Sequence, residues 1–246
     1  MISNPFSLEG KTILVTGASS NIGKRIAIRC CEMGANVFFV GRNEDRLQEA
    51  VNATTTGKAI QCDLADADSI KTLVSELPSL DGVVLSAARF DTTPVKFIKR
   101  ESMMDIFNTN TFGNFDFVQK LVRQKKITKG GSVVFISSVA STRPYKGNSL
   151  YSATKGAINS FSKVLALELG SQKIRVNCIH PGIVARDTGI REGTLSAEQQ
   201  RQEMEKFPLG MGNVDDIAYA TVYLLSDVAR WVTGTDMIVD GGQSLI

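Results

Sequence analysis

Tyr151 and Lys155 stand four residues apart in Tyr151-Ser152-Ala153-Thr154-Lys155, at the start of a run with helical period. That spacing makes the phenol and the ammonium neighbours on one helical face. A nearby cation favours phenolate and pulls a tyrosine down from its usual pKa of about 10, so that it can exchange a proton near neutrality. Other proton chemistry is poorly supplied. His180 is the only histidine, so a metal site needing two imidazoles is impossible, and a serine hydrolase triad would run entirely through it. No Gly-x-Ser-x-Gly elbow exists to serve such a triad. Cys30, Cys31, Cys62 and Cys178 contain no Cys-x-x-Cys pair, and the first two are adjacent. They read as buried thiols, with no metal site.

A second cluster could hold a nucleotide. The apolar run Ile13-Leu14-Val15 leads into Thr16-Gly17-Ala18-Ser19-Ser20-Asn21-Ile22-Gly23 and then into an amphipathic helical pattern. Small residues in such a turn let the backbone approach a pyrophosphate, while free N–H groups and the helix dipole favour its charge. The other reading is a plain tight strand-to-helix connection. A magnesium-dependent phosphate loop fits worse: five residues separate Gly17 from Gly23 where that loop has four, and Arg25 follows Lys24 where it needs Ser or Thr. After the second apolar run comes Gly41-Arg42-Asn43. A carboxylate at this point accepts from a free ribose 2′-hydroxyl, whereas an arginine pairs with a 2′-phosphate. Arg42 therefore argues for NADP(H) over NAD(H).

Elements able to position these groups follow from the apolar pattern. Seven strand-like runs are present: residues 13–15, 37–40, 59–62, 83–85, 133–136, 176–179 and 237–239. Several are apolar throughout, as in a parallel sheet covered on both faces. Between them, Ile22, Ile26, Cys30 and Met33 mark one helix, and Ile158, Phe161, Leu165 and Leu169 another that should end in a left-handed cap at Gly170. Met104, Phe107, Thr111, Phe115, Val118 and Val122 mark a third, with a kink expected near Asn110 because Asn108, Asn110, Gly113 and Asn114 are poor helix formers. The repeated β-α pattern predicts an α/β doubly wound fold with helices on both sides of the sheet. No linker or repeat divides the 246 residues, so 1–246 reads as one domain, broken in rhythm by a polar insert at about 186–210 with a helix-like stretch at 196–206.

Composition bounds the partners. The chain is 43% apolar and 22% charged, with a net charge of +3. That is too little charge for a surface built to neutralise many phosphates, so nucleic acid is not expected. No stretch approaches a membrane span, and Met1-Ile2-Ser3-Asn4-Pro5-Phe6 lacks the character of a signal peptide. A cytoplasmic protein that does not engage membranes is expected.

Taken together, the chain resembles the short-chain dehydrogenase/reductase family from Lys11 to Val239-Asp240-Gly241-Gly242. Five motifs carry the resemblance in order and spacing. They are the glycine turn, Cys62-Asp63-Leu64, Asn110 with Gly113, Ser138 thirteen residues before Tyr151, and Pro181-Gly182. The resemblance implies a Rossmann fold and a catalytic set of Asn110, Ser138, Tyr151 and Lys155. In it, Tyr151 is the general acid or base, and Lys155 lowers its pKa and holds the nicotinamide ribose. Ser138 binds the substrate oxygen, and Asn110 offers its carbonyl to a proton-relaying water. It also implies cofactor contacts from Gly17, Ser19, Ser20, Asn21, Ile22, Gly23 and Arg42, then Asp63 and Leu64 at the adenine, Ser86 and Ala87, and Pro181, Gly182 and Val184.

The departures are specific. Asn21 replaces a glycine, which asparagine's tolerance of positive φ allows. Leu85-Ser86-Ala87-Ala88 replaces the family's usual Asn-Asn-Ala-Gly, and Arg186 stands where a threonine usually contacts the nicotinamide, with Thr188 as a substitute.

The implied substrate is a carbonyl compound or secondary alcohol, as for the 3-oxoacyl-(acyl carrier protein) reductase and sugar or polyol dehydrogenase branches. Arg89, Arg143, Arg186 and Arg191, with Phe90 and Tyr145, fall in expected pocket segments and suggest an anionic group on it. The resemblance implies a homotetramer, or a homodimer. The competing function is a non-catalytic nucleotide sensor of the same fold.

Overall fold

A computed structural model of the chain describes residues 4–185 and 207–246, together with Glu198, Gln202 and Glu205. Seven strands form one sheet: β1 (Thr12–Thr16), β2 (Asn36–Gly41), β3 (Gly57–Gln61), β4 (Leu80–Leu85), β5 (Ile127–Ile136), β6 (Arg175–Pro181) and β7 (Asp236–Val239). Their order is β3-β2-β1-β4-β5-β6-β7, and every pairing is parallel. All seven apolar runs fall on strands, with Cys62 one residue past β3. The order reverses between β1 and β4, and a crevice opens at the carboxyl ends of strands at such a switch point.

Two buried clusters explain why the strands carry apolar residues on both faces. Leu14, Val83, Val133 and Phe135 face one cluster, packed by Ile70 and Leu73 of α3 (Ala67–Glu76), Phe117 and Leu121 of α5 (Gly113–Arg123), and Ile158 and Leu165 of α6 (Ser149–Leu169). Ile13, Val15, Val84 and Val134 face the other. There they meet Ile26 and Cys30 of α1 (Asn21–Glu32), Leu47 of α2 (Glu44–Asn52), and Ile217 and Val222 of α7 (Val214–Leu225). All four cysteines are buried, as their lack of motif implied.

Two helix details differ from expectation. The segment around Asn110 is α4 (Arg100–Phe107), a π-helical turn at Asn108–Phe112, and then α5. The wide turn shifts part of the inward face: Thr111 and Val118 are buried as expected and Ile106, Asn110, Asn114, Phe117 and Leu121 are buried besides, whereas Met104 is exposed and Phe107, Phe115 and Val122 are only half-buried. Asparagines replace apolar residues on that face because each finds hydrogen-bond partners inside. Gly170 does not form a left-handed cap. It keeps helical backbone, a 3-10 turn continues to Gln172, and Lys173 takes the left-handed conformation at φ 59°.

Most of the insert expected at 186–210 lies outside the described residues, and Arg186, Thr188 and Arg191 lie there with it.

Candidate active site

The glycine turn joins β1 to α1 at the switch point. Gly17 (φ 68°) and Asn21 (φ 46°) both adopt left-handed backbone, the role expected of the asparagine. A Cβ on Gly23 would lie 2.3 Å from the Gly17 carbonyl oxygen, so only glycine lets the helix start this close to the strand. Ser20 precedes α1 yet makes no side-chain cap hydrogen bond. The first turn thus presents N–H groups that its own cap does not satisfy, a donor set that fits the anionic bridge of a dinucleotide. Ser19 packs its side chain toward Gly41 at the end of β2, and Ile22 is half-buried behind the turn.

A cavity lies at the ends of β2 and β3, where the sequence placed adenosine contacts. Arg42, Gln61, Cys62, Asp63 and Ser69 line one cavity of about 340 Å³, bringing together Arg42 and Asp63 from separate strand ends. Gln61 donates to the Arg42 carbonyl at 2.9 Å, and Asp63 accepts from the Ala65 N–H at 2.9 Å. Leu64 is buried, and a Cβ on Gly113 would come within 2.0 Å of its carbonyl oxygen. That contact is why glycine follows the π turn. After β4, Ser86 and Ala87 both donate backbone N–H to Thr16 Oγ1, at 3.1 and 3.2 Å, so Thr16 ties the end of β4 to β1. Pro181 and Gly182 end β6. Val184 pairs in a parallel bridge with Gly212, and Ile183 donates to Gln243 Oε1 at 2.9 Å, which fixes the segment that follows β6.

The proton-transfer candidates converge on α6. Lys155 is buried, donates from Nζ to the Ile136 carbonyl at 2.7 Å, and lies 5.6 Å from the centroid of the Tyr151 ring. No carboxylate among the described residues pairs with it, and burial pulls its ammonium down from the ordinary lysine value to about 8. Phe90 packs edge-on against Tyr151 with ring centroids 5.0 Å apart.

Asn110 spans the site. Its Oδ1 accepts from Arg89 N at 2.7 Å, and its Nδ2 donates to Arg89 O at 2.8 Å and to Thr154 Oγ1 at 3.2 Å. It therefore clamps the segment after β4 to the residue next to Lys155. Its own carbonyl accepts from Asn114 Nδ2 at 2.8 Å, and Asn114 Oδ1 is buried with no protein partner. Ser138 leaves β5 in extended backbone and caps a 3-10 turn, Val139–Ser141, accepting from Ala140 N at 3.1 Å. Ser137 instead buries its hydroxyl against Asn159 Oδ1 at 2.6 Å.

Two of the expected pocket arginines are already engaged. Arg89 pairs with Asp105 and Arg143 donates to the Ile246 carbonyl, which weakens the case for an anionic substrate group. Thr16, Thr154 and Asn114 were not singled out from the sequence. For Asn114 the signal was there: it follows Asn110 by four, one turn along the same face.

A family profile described as enoyl-(acyl carrier protein) reductase matches residues 17–244. D-erythrulose reductase of Gallus gallus is 34% identical over 239 residues, covering 96% of each chain. The chain belongs to the short-chain dehydrogenase/reductase family. Among other relatives of this short-chain dehydrogenase/reductase, the 3-oxoacyl-[acyl-carrier-protein] reductase of Rickettsia felis is 30% identical over 97% of this chain and 99% of its own length. L-xylulose reductase of Caenorhabditis elegans is 33% identical over 97% and 98%. The solved structure of a short-chain type dehydrogenase/reductase from Mycobacterium ulcerans superposes with a TM-score of 0.88 at 33% identity, covering 97% of this chain and 91% of that one. The protein is thus an oxidoreductase of this family with an all-parallel Rossmann sheet. Among the described residues, no helix is long and apolar enough to cross a membrane.

Proposed function

We propose that the chain is an NADP(H)-dependent carbonyl reductase or alcohol dehydrogenase, the bound cofactor supplying or accepting the hydride and Tyr151 the proton. One observation carries the reading: a buried lysine with no acidic partner among the described residues lies beside a tyrosine on the same helical face. Burying an unpaired ammonium costs stability, and such groups concentrate where charge does chemistry.

In this reading Tyr151 donates its hydroxyl proton to the substrate oxygen during reduction and recovers it in oxidation. Lys155 stabilises the phenolate left behind and binds the ribose next to the nicotinamide. Ser138 donates a hydrogen bond to the same substrate oxygen, supporting the charge that develops there. Asn110 holds its carbonyl in the π turn beside Asn114, whose unpartnered Oδ1 suits a relay water leading to Lys155. The glycine turn, Asp63, Leu64, Ser86, Ala87, Pro181, Gly182 and Val184 seat the cofactor. Arg42, exposed at the mouth of the cavity it shares with Asp63, supports the preference for a 2′-phosphate.

The same reading takes 1–246 as one nucleotide-binding domain with 186–210 as its substrate loop. Exposed Phe112, Val164, Leu167 and Trp231 support assembly into a homotetramer or homodimer. The relatives' names supply the first substrates to try: D-erythrulose, L-xylulose and a 3-oxoacyl thioester. Each is assayed by cofactor absorbance with NADPH and NADH side by side. Turnover of at least one, faster with NADPH, is expected, and NADPH consumption by none of them or a clear preference for NADH would contradict the reading.

A further inference from the structure

Five polar side chains close a ring behind the turn that carries Ser138. Asn159 donates from Nδ2 to Ser141 Oγ at 2.9 Å, and Ser141 Oγ lies 3.3 Å from His180 Nδ1. His180 Nε2 lies 3.1 Å from Asp236 Oδ1, and Asp236 Oδ2 pairs with Lys163 Nζ at 2.6 Å. Asn159 and Lys163 are one turn apart on α6, so the ring begins and ends on that helix. Read in steps of four, the same face of α6 runs Tyr151, Lys155, Asn159, Lys163.

Proton counting shows what the ring holds. Asp236 requires a hydrogen on His180 Nε2, which in the neutral imidazole leaves Nδ1 as an acceptor toward Ser141. Ser141 has a single hydroxyl hydrogen and two acceptors within reach, His180 Nδ1 and the Ser138 carbonyl, the latter at 2.7 Å. It also accepts from Asn159. The hydroxyl has one hydrogen for the two acceptors, and its oxygen is fixed by the Asn159 donor, so Ser141 is held at the end of the turn that Ser138 caps.

His180 is buried, and the charged and titratable groups facing it are Asp236 from β7, Lys163 from α6 and Cys178 from its own strand. Cys178, His180 and Asp236 place their ligand atoms within 4.8 Å of one another, as a metal site would. The hydrogen bonding argues otherwise. Cys178 donates to Ser162 Oγ at 3.1 Å, burial pushes the thiol up to about 12, and Lys163 already neutralises Asp236.

We propose that His180 is a positioning residue: braced by Asp236, it holds Ser141 and through it the 3-10 turn that Ser138 caps, and so the place of Ser138. This rests on the reading of Ser138 and Tyr151 as the working pair. The ring packs against the turn that Ser138 caps, so its loss is expected to act on turnover more than on binding.

The test uses the full chain and whichever of D-erythrulose, L-xylulose or the 3-oxoacyl thioester is turned over fastest. His180→Leu keeps an apolar body in the buried site and removes both ring nitrogens. We expect kcat to fall about tenfold, with KM for the ketone and for NADPH within about twofold of the parent. In a Ser138→Ala background the same change lowers kcat by less than about twofold, because the group it positions is already gone. Wild-type kcat in a folded His180→Leu protein overturns the proposal, as does an equal tenfold loss in both backgrounds. Unchanged kcat in Ser138→Ala alone overturns the underlying reading of the site. Should His180→Leu fail to fold, the half-exposed end of the ring serves. Asp236→Ala lowers kcat with KM unchanged, and Asp236→Asn, which keeps an oxygen facing Nε2, recovers most of that loss. Equal kcat in the two Asp236 variants contradicts the proposal.

Discussion

Lys155 donates its Nζ hydrogen bond to the carbonyl of Ile136, so a buried ammonium rests on the end of β5 with no carboxylate beside it among the described residues. Its folded pKa lies near 8, below the ordinary lysine value of 10.5. The unfolded chain therefore binds more protons between about pH 8 and 10.5, and stability rises with pH across that window. Below pH 8 the full cost is present, of order 3 kcal/mol by linkage. Lys155→Met removes it. The variant should melt several degrees higher than the parent at pH 7 and show a flatter stability profile above pH 8, while kcat collapses. Thermal melts at pH 7 and pH 10 check the first part. A lower melting temperature would contradict the assignment of a destabilising charge.

Arg42 and the adenosine end give a separable prediction. Losing a guanidinium–phosphate hydrogen bond is worth roughly 1.5–3 kcal/mol. Arg42→Ala should thus raise KM for NADPH by roughly 10- to 100-fold and leave KM for NADH nearly unchanged. Steady-state kinetics with both cofactors decide it.

Asn110 holds both backbone groups of Arg89. Asn110→Ala would leave the Arg89 N–H and the Thr154 hydroxyl without that partner, at a cost of about 2–3 kcal/mol. We expect a melting temperature lower by several degrees. Activity falls as well, because the clamp adjoins Lys155. Urea unfolding and turnover, measured on the same preparations, separate the two effects.

Asp215 on α7 accepts from Arg25 and Arg29 on α1, with hydrogen bonds of 2.6 Å from each, and these guanidinium groups hold its carboxyl well below the usual carboxylate range. A depressed folded pKa contributes stability above the unfolded value that is lost as pH falls toward the folded one. Asp215→Asn should therefore cost about 1 kcal/mol at neutral pH, the pairs being partly exposed, and should blunt the loss of stability on acidification below pH 4. Melts from pH 7 down to pH 3 test the sign.

Much of this architecture was legible because parallel strands buried on both faces must be apolar throughout. Val133-Val134-Phe135-Ile136 divides between the two cores residue by residue, and a strand of that composition has no other stable place. The Tyr151–Lys155 pair and the glycine turn were legible for a similar reason, since each depends on neighbours within eight residues. Asn21 behaves as its tolerance of positive φ required. What escaped depends on distant partners. The inward face of α4 and α5 was misplaced in part, Thr111 and Val118 excepted, because the π turn adds a residue to one turn, and because Asn110 and Asn114 are buried only by virtue of Arg89, Thr154 and the backbone. Gly170 was misjudged because a 3-10 turn carries the helix onward to Lys173. The ring through Ser141, Asn159, Lys163, His180 and Asp236 joins positions up to 95 residues apart, and nothing local marks it.

The central claim is that the hydroxyl of Tyr151 transfers the proton. Its most direct test is kcat for Tyr151→Phe with NADPH and the best ketone, alongside a fluorescence titration of NADPH binding. The account predicts a loss of about 10³-fold in kcat with NADPH affinity retained within a few-fold. Turnover within tenfold of the parent in a variant that still binds NADPH would contradict it.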